Sequence, residues 1–357
     1  MHGNFRKCAI TLSSVVLGGV ILPAHAQSDV TLYGIIDDGL LYTSKSLNPI
    51  TRQNSGNQIS VIGAPSLFGF KGSEDLGGGV KTIFDLESGF LSSTGALAVS
   101  NGNFFGRQAW VGIQGDFGTV KAGLQYSPFG LSLLATDARA VSFFGSMLPL
   151  YVQNVSVTGG FNPNALSYAS PTIGGFQGSA MLALGGAAGD FQAGLEYSAS
   201  LNYTYGPLLI SAAMYNGNAG GSAATTPIQS TTAFTGRTIG ATYEYGDLTV
   251  KAVFVNFKVV GSFDDRVYGG GFSYRFNPAV SADAGVWYTS DGNDTRNHSV
   301  LAATGVNYSL SKATLFYGQF GYIDNHGKMD TGMTTNGALF GATGSTLGVA
   351  VGIRHLF

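Results

Sequence analysis

Apolar and small or polar residues alternate almost without fault in the final stretch of the chain. From Leu347 to Phe357 the odd positions carry Leu, Val, Val, Ile, His and Phe, while the even positions carry Gly, Ala, Gly and Arg until Leu356 interrupts the pattern. Successive side chains on a strand point to opposite faces, so this segment predicts a strand with one greasy face. The same period recurs upstream. Phe316, Gly318, Phe320 and Tyr322 share one face of 314–323, and Val306, Tyr308 and Leu310 share one face of 305–310.

Segments of about ten residues with this period-two pattern repeat along the chain, separated by turn signals. Seven connections are tight and rich in Gly, Pro, Asn, Asp or Ser: 74–79, 115–118, 171–175, 205–207, 245–247, 277–279 and 310–312. Eight are longer: 43–56, 91–103, 128–163, 186–190, 217–233, 259–263, 291–298 and 325–343. Short and long alternate throughout, so fifteen connections join sixteen strands. A soluble sandwich has no reason to collect its tight turns at one end. A transmembrane barrel does, and closing it removes the unpaired strand edges. The pattern therefore predicts an all-β fold, a 16-stranded antiparallel transmembrane β-barrel with both termini at the short-turn end. Barrels of this size enclose an aqueous channel. On the first strand Leu32, Gly34, Ile36 and Leu40 share the outward face, and Asp38 falls among them. A lipid-facing carboxylate is unfavourable, so Asp38 is expected at a subunit interface, near the external boundary or beside a change of register.

Composition agrees. Charged residues make up 11% of the chain and aromatics 12%, with 54 glycines; a soluble domain has about 25% charged residues. Arg6 and Lys7, the apolar run 9–22 and Ala24-His25-Ala26 read as a secretory signal cleaved before Gln27. The run is shorter than the roughly 20 residues that span a bilayer. Residues 27–357 then form a single barrel domain. Cys8 leaves with the signal, so the mature chain has no thiol to cross-link. Removing Arg6 and Lys7 leaves 16 basic against 20 acidic residues, a net charge near −4, which argues against nucleic acid as a partner.

Ser66-Leu67-Phe68-Gly69-Phe70-Lys71-Gly72-Ser73-Glu74-Asp75-Leu76-Gly77-Gly78-Gly79 resembles the second hairpin of the trimeric porins of Gram-negative bacteria, most closely the β-proteobacterial general porins. Val30-Thr31-Leu32-Tyr33-Gly34, Phe105-Gly106-Arg107-Gln108-Ala109, Phe117-Gly118-Thr119-Val120 and Gly352-Ile353-Arg354-His355 extend the resemblance over the whole mature chain. It implies an outer-membrane homotrimer, contacts with lipid and lipopolysaccharide, and passive diffusion of small hydrophilic solutes and ions. It also implies that the third external loop, 128–163, folds inward to form an eyelet. The terminal Phe357 is, by the same resemblance, a recognition mark for barrel assembly.

Such porins set wall arginines against acids on that loop, and this chain departs from the pattern. Leu67 stands where the family has arginine, Gly123-Leu124-Gln125 replaces Gly-Arg-Gln, and Phe161 occupies another arginine position. Arg107 matches a retained wall arginine, and Lys71 keeps a positive charge. Within 128–163 the charged residues are Asp137 and Arg139, beside many apolar side chains. The constriction is thus expected at Leu67, Lys71, Arg107, Leu124, Asp137, Arg139 and Phe161. Two readings stand. Other charges rebuild an ordinary eyelet, or the eyelet is apolar and weakly charged, favouring neutral or amphipathic small solutes.

Enzyme chemistry is not visible. His298, His326 and His355 lack metal-ligand spacing, and no Gly-x-Ser-x-Gly elbow or phosphate-binding loop appears. Asp291-Gly292-Asn293-Asp294-Thr295 lacks the later ligand positions of a calcium loop. The sequence therefore points to no catalytic residue, cofactor or metal. A passenger translocator would need a large domain before the barrel. A surface adhesin or receptor role for the external loops is the remaining alternative.

Overall fold

Strand alternation resolves into a closed ring in the computed structural model, which describes residues 29–48, 51, 53–63, 66–98, 103–155, 159–221 and 233–357. The expected signal, residues 1–26, lies outside these described residues. The first strand, β1 (Asp29–Leu47), is paired by two segments in turn. Its first half meets β3 (Ser66–Gly77), from Asp29↔Ser73 to Ile35↔Leu67, and its second half meets β2 (Asn54–Ile62), starting at Gly39↔Ile62. β2 and β3 thus share one place in the wall. The intervening sequence is Gly63-Ala64-Pro65, and proline offers no N–H to a ladder.

The ring continues through β4 (Val80–Phe90), β5 (Gln108–Gly115), β6 (Gly118–Tyr126), β7 (Phe161–Ala169), β8 (Phe176–Ala183), β9 (Glu196–Tyr205) and β10 (Leu208–Gly217). It is completed by β11 (Phe234–Tyr245), β12 (Leu248–Val259), β13 (Asp264–Arg275), β14 (Val280–Asp291), β15 (His298–Ser309) and β16 (Thr314–His326). Each pairs antiparallel with the next. After the short hairpin β17 (Thr331–Thr334) and β18 (Ala338–Phe340), the strand β19 (Gly344–Leu356) pairs with β16 and with β1, which closes the wall at sixteen places. Beyond β19, Phe357 N–H donates to the Gly34 carbonyl at 3.0 Å and Gly34 N–H to the Phe357 carbonyl at 2.9 Å. Closure leaves no edge to face hydrocarbon, where an unpaired backbone group costs several kcal/mol.

The parity of the terminal strand holds. Val349, Val351 and Ile353 are exposed on the outside, as are Leu32, Ile36, Leu40, Phe316 and Phe320. Gly348, Ala350, Gly352 and Arg354 turn inward, opposite Gly321, Gln319, Tyr317 and Leu315. Asp38 points outward across from Ile353, beside the change of partner from β3 to β2. Its Oδ1 is buried and has no hydrogen-bond partner among the described residues.

The loop between β6 and β7 folds into the barrel as α1 (Pro128–Thr136) and α2 (Met147–Val155). Ser127 caps α1 by accepting from Gly130 N–H at 3.0 Å, and Pro128 suits the first turn, where no N–H is needed. One face of α1 lies on the inner wall. Phe129 fills the space above Gly236, where a Cβ would come within 2.6 Å of its ring, and Thr136 does the same above Gly240. Ser132 Oγ meets Ser211 Oγ at 2.7 Å, and Thr242 Oγ1 donates to the Ala135 carbonyl at 2.8 Å. Phe129, Tyr151, Tyr215, Phe234 and Phe257 form the aromatic core between loop and wall.

The last external loop also folds inward, which its sequence had not suggested. Met333 is fully buried over Gly321 and Gly348. Gly145 N–H donates to the Met333 carbonyl at 2.8 Å, Thr335 N–H to the Phe143 carbonyl at 3.1 Å, and Gln153 Nε2 to the Asp330 carbonyl at 2.8 Å. Hairpin and inner loop therefore brace each other. Replacing 328–341 by a short Gly-Ser turn is expected to raise single-channel conductance and current noise, measured in planar bilayers.

Candidate functional site

Cross-strand pairing decides which side chains meet in the lumen, because residues directly opposite share a face. Ile35, Leu67 and Gly89 form one inward row, and Tyr33, Gly69, Glu87 and Gln108 the next. Thr31, Lys71, Asp85, Trp110 and Gly123 form a third. Leu67, Lys71, Arg107 and Phe161 are all associated with this part of the wall. Arg107 Nε donates to Glu87 Oε1 at 2.6 Å and its Nη2 to the Tyr126 hydroxyl at 2.8 Å. The guanidinium also lies 5.3 Å from the Phe161 ring centroid. Both members of the Arg107–Glu87 pair are buried.

Leu124 does not join them. It pairs with Ala109, on the face that carries the exposed Val111 and Ile113 of the outer wall. The inward neighbour is Gly123, and an irregularity follows it, after which Gln125 turns in and bonds Ser167 at 2.5 Å. The parity of the ladder, rather than the motif, places Leu124 toward lipid.

Asp137 and Arg139 reach the lumen side of the wall but are used up as anchors. Asp137 is fully buried. Its Oδ1 accepts from the Trp287 indole at 2.9 Å and Met147 N–H at 3.2 Å. Its Oδ2 accepts from Val141 N–H at 2.8 Å and Arg139 N–H at 3.2 Å. Burial pushes this carboxyl up from the ordinary carboxylate range, and those four donors pull it back. Trp287 in turn fills the space above Gly269 and Gly285. Arg139 Nε is bonded to Asp283 on β14, and its Nη1 donates to the carbonyls of Phe144 at 2.7 Å and Gly145 at 3.1 Å. The turn between them holds Ala140 and Val141 at φ of 50° and 49°, a backbone state costly for a β-branched residue. The Asp137 carboxylate, bonded to Val141 N–H, sustains it.

Sequence reasoning missed the partners Glu87 and Asp283. Asp85 and Glu87 stand two apart on β4, a spacing that puts both on one face opposite Gly69 and Lys71, so Glu87 was legible. Asp283 was not, because it meets Arg139 across 144 residues of chain. A third wall pair joins Arg354 Nε to Asp37 Oδ2 at 2.6 Å, with the Tyr317 hydroxyl donating to Asp37 Oδ1 at 2.9 Å.

The face of α1 turned away from the wall is apolar: Leu131 and Leu134 are 49% and 45% exposed. Elsewhere the polar groups serve local structure. His298 and His326 stack at 4.5 Å across β15 and β16, His355 Nδ1 meets Thr314 Oγ1 at 2.8 Å, and Asp294 is bound by Arg296 at 2.7 Å. Among the described residues no cluster of three metal-ligating side chains occurs.

The Gram-negative porin family profile matches residues 13–328. The chain belongs to this family. Its members are channels rather than enzymes, and both family and barrel place this porin in the outer membrane. It is 27% identical to outer membrane porin protein 32 of Delftia acidovorans over 99% of this chain and 100% of that protein. It is 34% identical to the major outer membrane protein P.IB of Neisseria gonorrhoeae, over 54% of this chain and 53% of that one. Among solved structures, an anion-selective porin from Comamonas acidovorans superposes with a TM-score of 0.78 at 24% identity, covering 93% of this chain and 100% of that one. The outer-membrane protein OmpT of Vibrio cholerae, solved in a trimer form, gives 0.66 at 15% identity over 92% and 99%. These structural likenesses speak to the fold.

Trp110 and Trp287 are the two indoles of this porin. In a Trp110→Phe background, Asp137→Ala is expected to red-shift Trp287 emission and increase its quenching by acrylamide. Losing a buried charged acceptor should destabilise the loop by about 1–3 kcal/mol.

Proposed function

We propose that this porin is a passive diffusion channel whose eyelet carries a weak transverse field, so that it admits neutral and amphipathic small solutes with only weak ion selectivity. The observation that carries this reading is that the eyelet arginines are neutralised where they stand. Arg107 is paired with Glu87, Arg139 with Asp283 and Arg354 with Asp37. At an effective dielectric of about 20, a lone charge acts on an ion ~8 Å away with roughly 2 kcal/mol. An ion pair with its charges about 3 Å apart retains roughly a third of that at best, by the same law. Leu67, Phe161, Leu131 and Leu134 add no fixed charge and do not replace an ion's lost hydration.

A homotrimer is part of the proposal. A carboxylate on the outward face, Asp38, supports it, since a neighbouring subunit accommodates such a group where lipid does not. Lipid and lipopolysaccharide then meet the rest of the apolar belt. Phe357, whose backbone pairs with Gly34 at the seam, is proposed as the mark read during barrel assembly.

Reversal potentials across a potassium chloride gradient in planar bilayers test the eyelet. Small values are expected, and a potential close to the chloride equilibrium value would overturn the weak-field reading. Glu87→Gln is expected to move the potential toward anion preference, because it frees the charge of Arg107.

A further inference from the structure

On the inner wall of β3 to β6, two lysines backed by aromatic rings take no part in the pairing that neutralises the arginines. Lys71 on β3 and Lys121 on β6 both turn inward, Lys71 opposite Thr31 and Asp85, Lys121 opposite Gly112 and Ser167. Among the described residues neither ammonium forms an ion pair. Each is held on an aromatic face instead: Lys71 Nζ lies 5.1 Å from the Tyr33 ring centroid and Lys121 Nζ 4.0 Å from that of Trp110.

Asp85 attracts both ammonium groups but forms an ion pair with neither. Asp85 lies on β4, directly opposite Lys71, and its Oδ1 accepts the Tyr33 hydroxyl at 2.7 Å. An ammonium carries three N–H donors, and attraction to a ring face consumes no acceptor. Tyr33 and Trp110 therefore position two ammonium groups without satisfying their hydrogen bonds. Trp110 is itself fixed, its indole donating to Gln108 Oε1 at 2.7 Å.

Across the lumen the free face of α1 is of the opposite kind, while the wall beneath the helix carries one more inward lysine, Lys251 of β12, opposite Thr242 and Gly271. β3 to β6 occupy places two to five of the sixteen in the wall, while α1 rests on β9 to β12, places eight to eleven. The exposed Leu131 and Leu134 on the free side of α1 therefore face the wall that carries the lysines. Cationic donors on one side and an apolar rail on the other complement a molecule with one anionic end and an apolar body.

We propose that this porin recognises small monocarboxylates with an apolar body, the carboxylate passing along Lys71 and Lys121 while the body slides over Leu131 and Leu134. The proposal rests on the weak-field reading of the eyelet and names the solute class it serves. Both halves are required. A small hydrophilic anion meets the ammonium groups but loses hydration against leucine without compensation, and an uncharged apolar solute meets the rail alone.

The test is single-channel recording in potassium chloride with benzoate, acetate or benzyl alcohol added. Benzoate is expected to interrupt the current in a concentration-dependent way, at concentrations roughly tenfold below those at which acetate does so, the margin reflecting its apolar ring. Benzyl alcohol is expected to leave the current continuous. Lys71→Gln with Lys121→Gln should abolish the benzoate interruptions, and Leu131→Ser with Leu134→Ser should bring benzoate to the level of acetate. Equal interruption by acetate and benzoate in the wild-type channel overturns the proposal, which keeps it testable even if the variants fail to insert. Unchanged benzoate interruptions in the double lysine variant overturn it as well. The salt-gradient potential is recorded in the same bilayers. A strong chloride potential overturns the weak-field reading, whereas a weak potential without benzoate interruptions overturns the monocarboxylate proposal alone.

Discussion

A chain crossing hydrocarbon can leave no backbone donor or acceptor unpaired, and the pairing of β1 with β19 is where this chain meets that demand. Every other feature depends on it. Closure fixes which face of each strand meets lipid, because slipping the register by one residue would exchange the two faces. With sixteen places in the wall, closure also encloses more space than wall side chains fill. The interior is then shaped by whatever the loops bring into it.

Two loops do so. The helix α1 and the hairpin β17–β18 are received by small residues on the wall, Gly236 and Gly240 under Phe129 and Thr136, Gly321 and Gly348 under Met333. The abundance of glycine, read from composition as suiting a lipid-facing wall, has a second cause on the inside. A Cβ at any of these four positions would collide with the loop. The aromatic core around Phe129 and Phe257 then lies between loop and wall, so the rigidity of the eyelet and the packing of the barrel interior are one property.

Anchoring the loop consumes its charges. Asp137 holds the turn at Ala140 and Val141 together and binds Trp287, and Arg139 is committed to Asp283 and two carbonyls. In a low-dielectric contact, a buried charge without a partner is far costlier than a paired one. Charges that secure the loop are therefore not available to a passing ion. Beside these pairs, the exposed leucines of α1 stand on one side and the aromatic-backed Lys71 and Lys121 on the other. Both loop charges stood out in the sequence, but as lining rather than as anchors. The error came from treating a charged residue near a constriction as exposed to it. Leu124 was misplaced for a different reason: the resemblance supplied the motif position, while the face is set by pairing with Ala109.

Strand number, the alternation of short and long connections, lipid-facing parity and the membrane class were determined by the sequence alone, because each follows from local periodicity and turn chemistry. The partners Glu87 and Asp283, the outward turn of Leu124, the inward hairpin at Met333 and the apolar rail at Leu131 and Leu134 were decided only by the tertiary structure. These depend on contacts between residues far apart in the chain. A period-two pattern says which side chains share a face; only the closed ring, with its loops packed inside, says what that face meets.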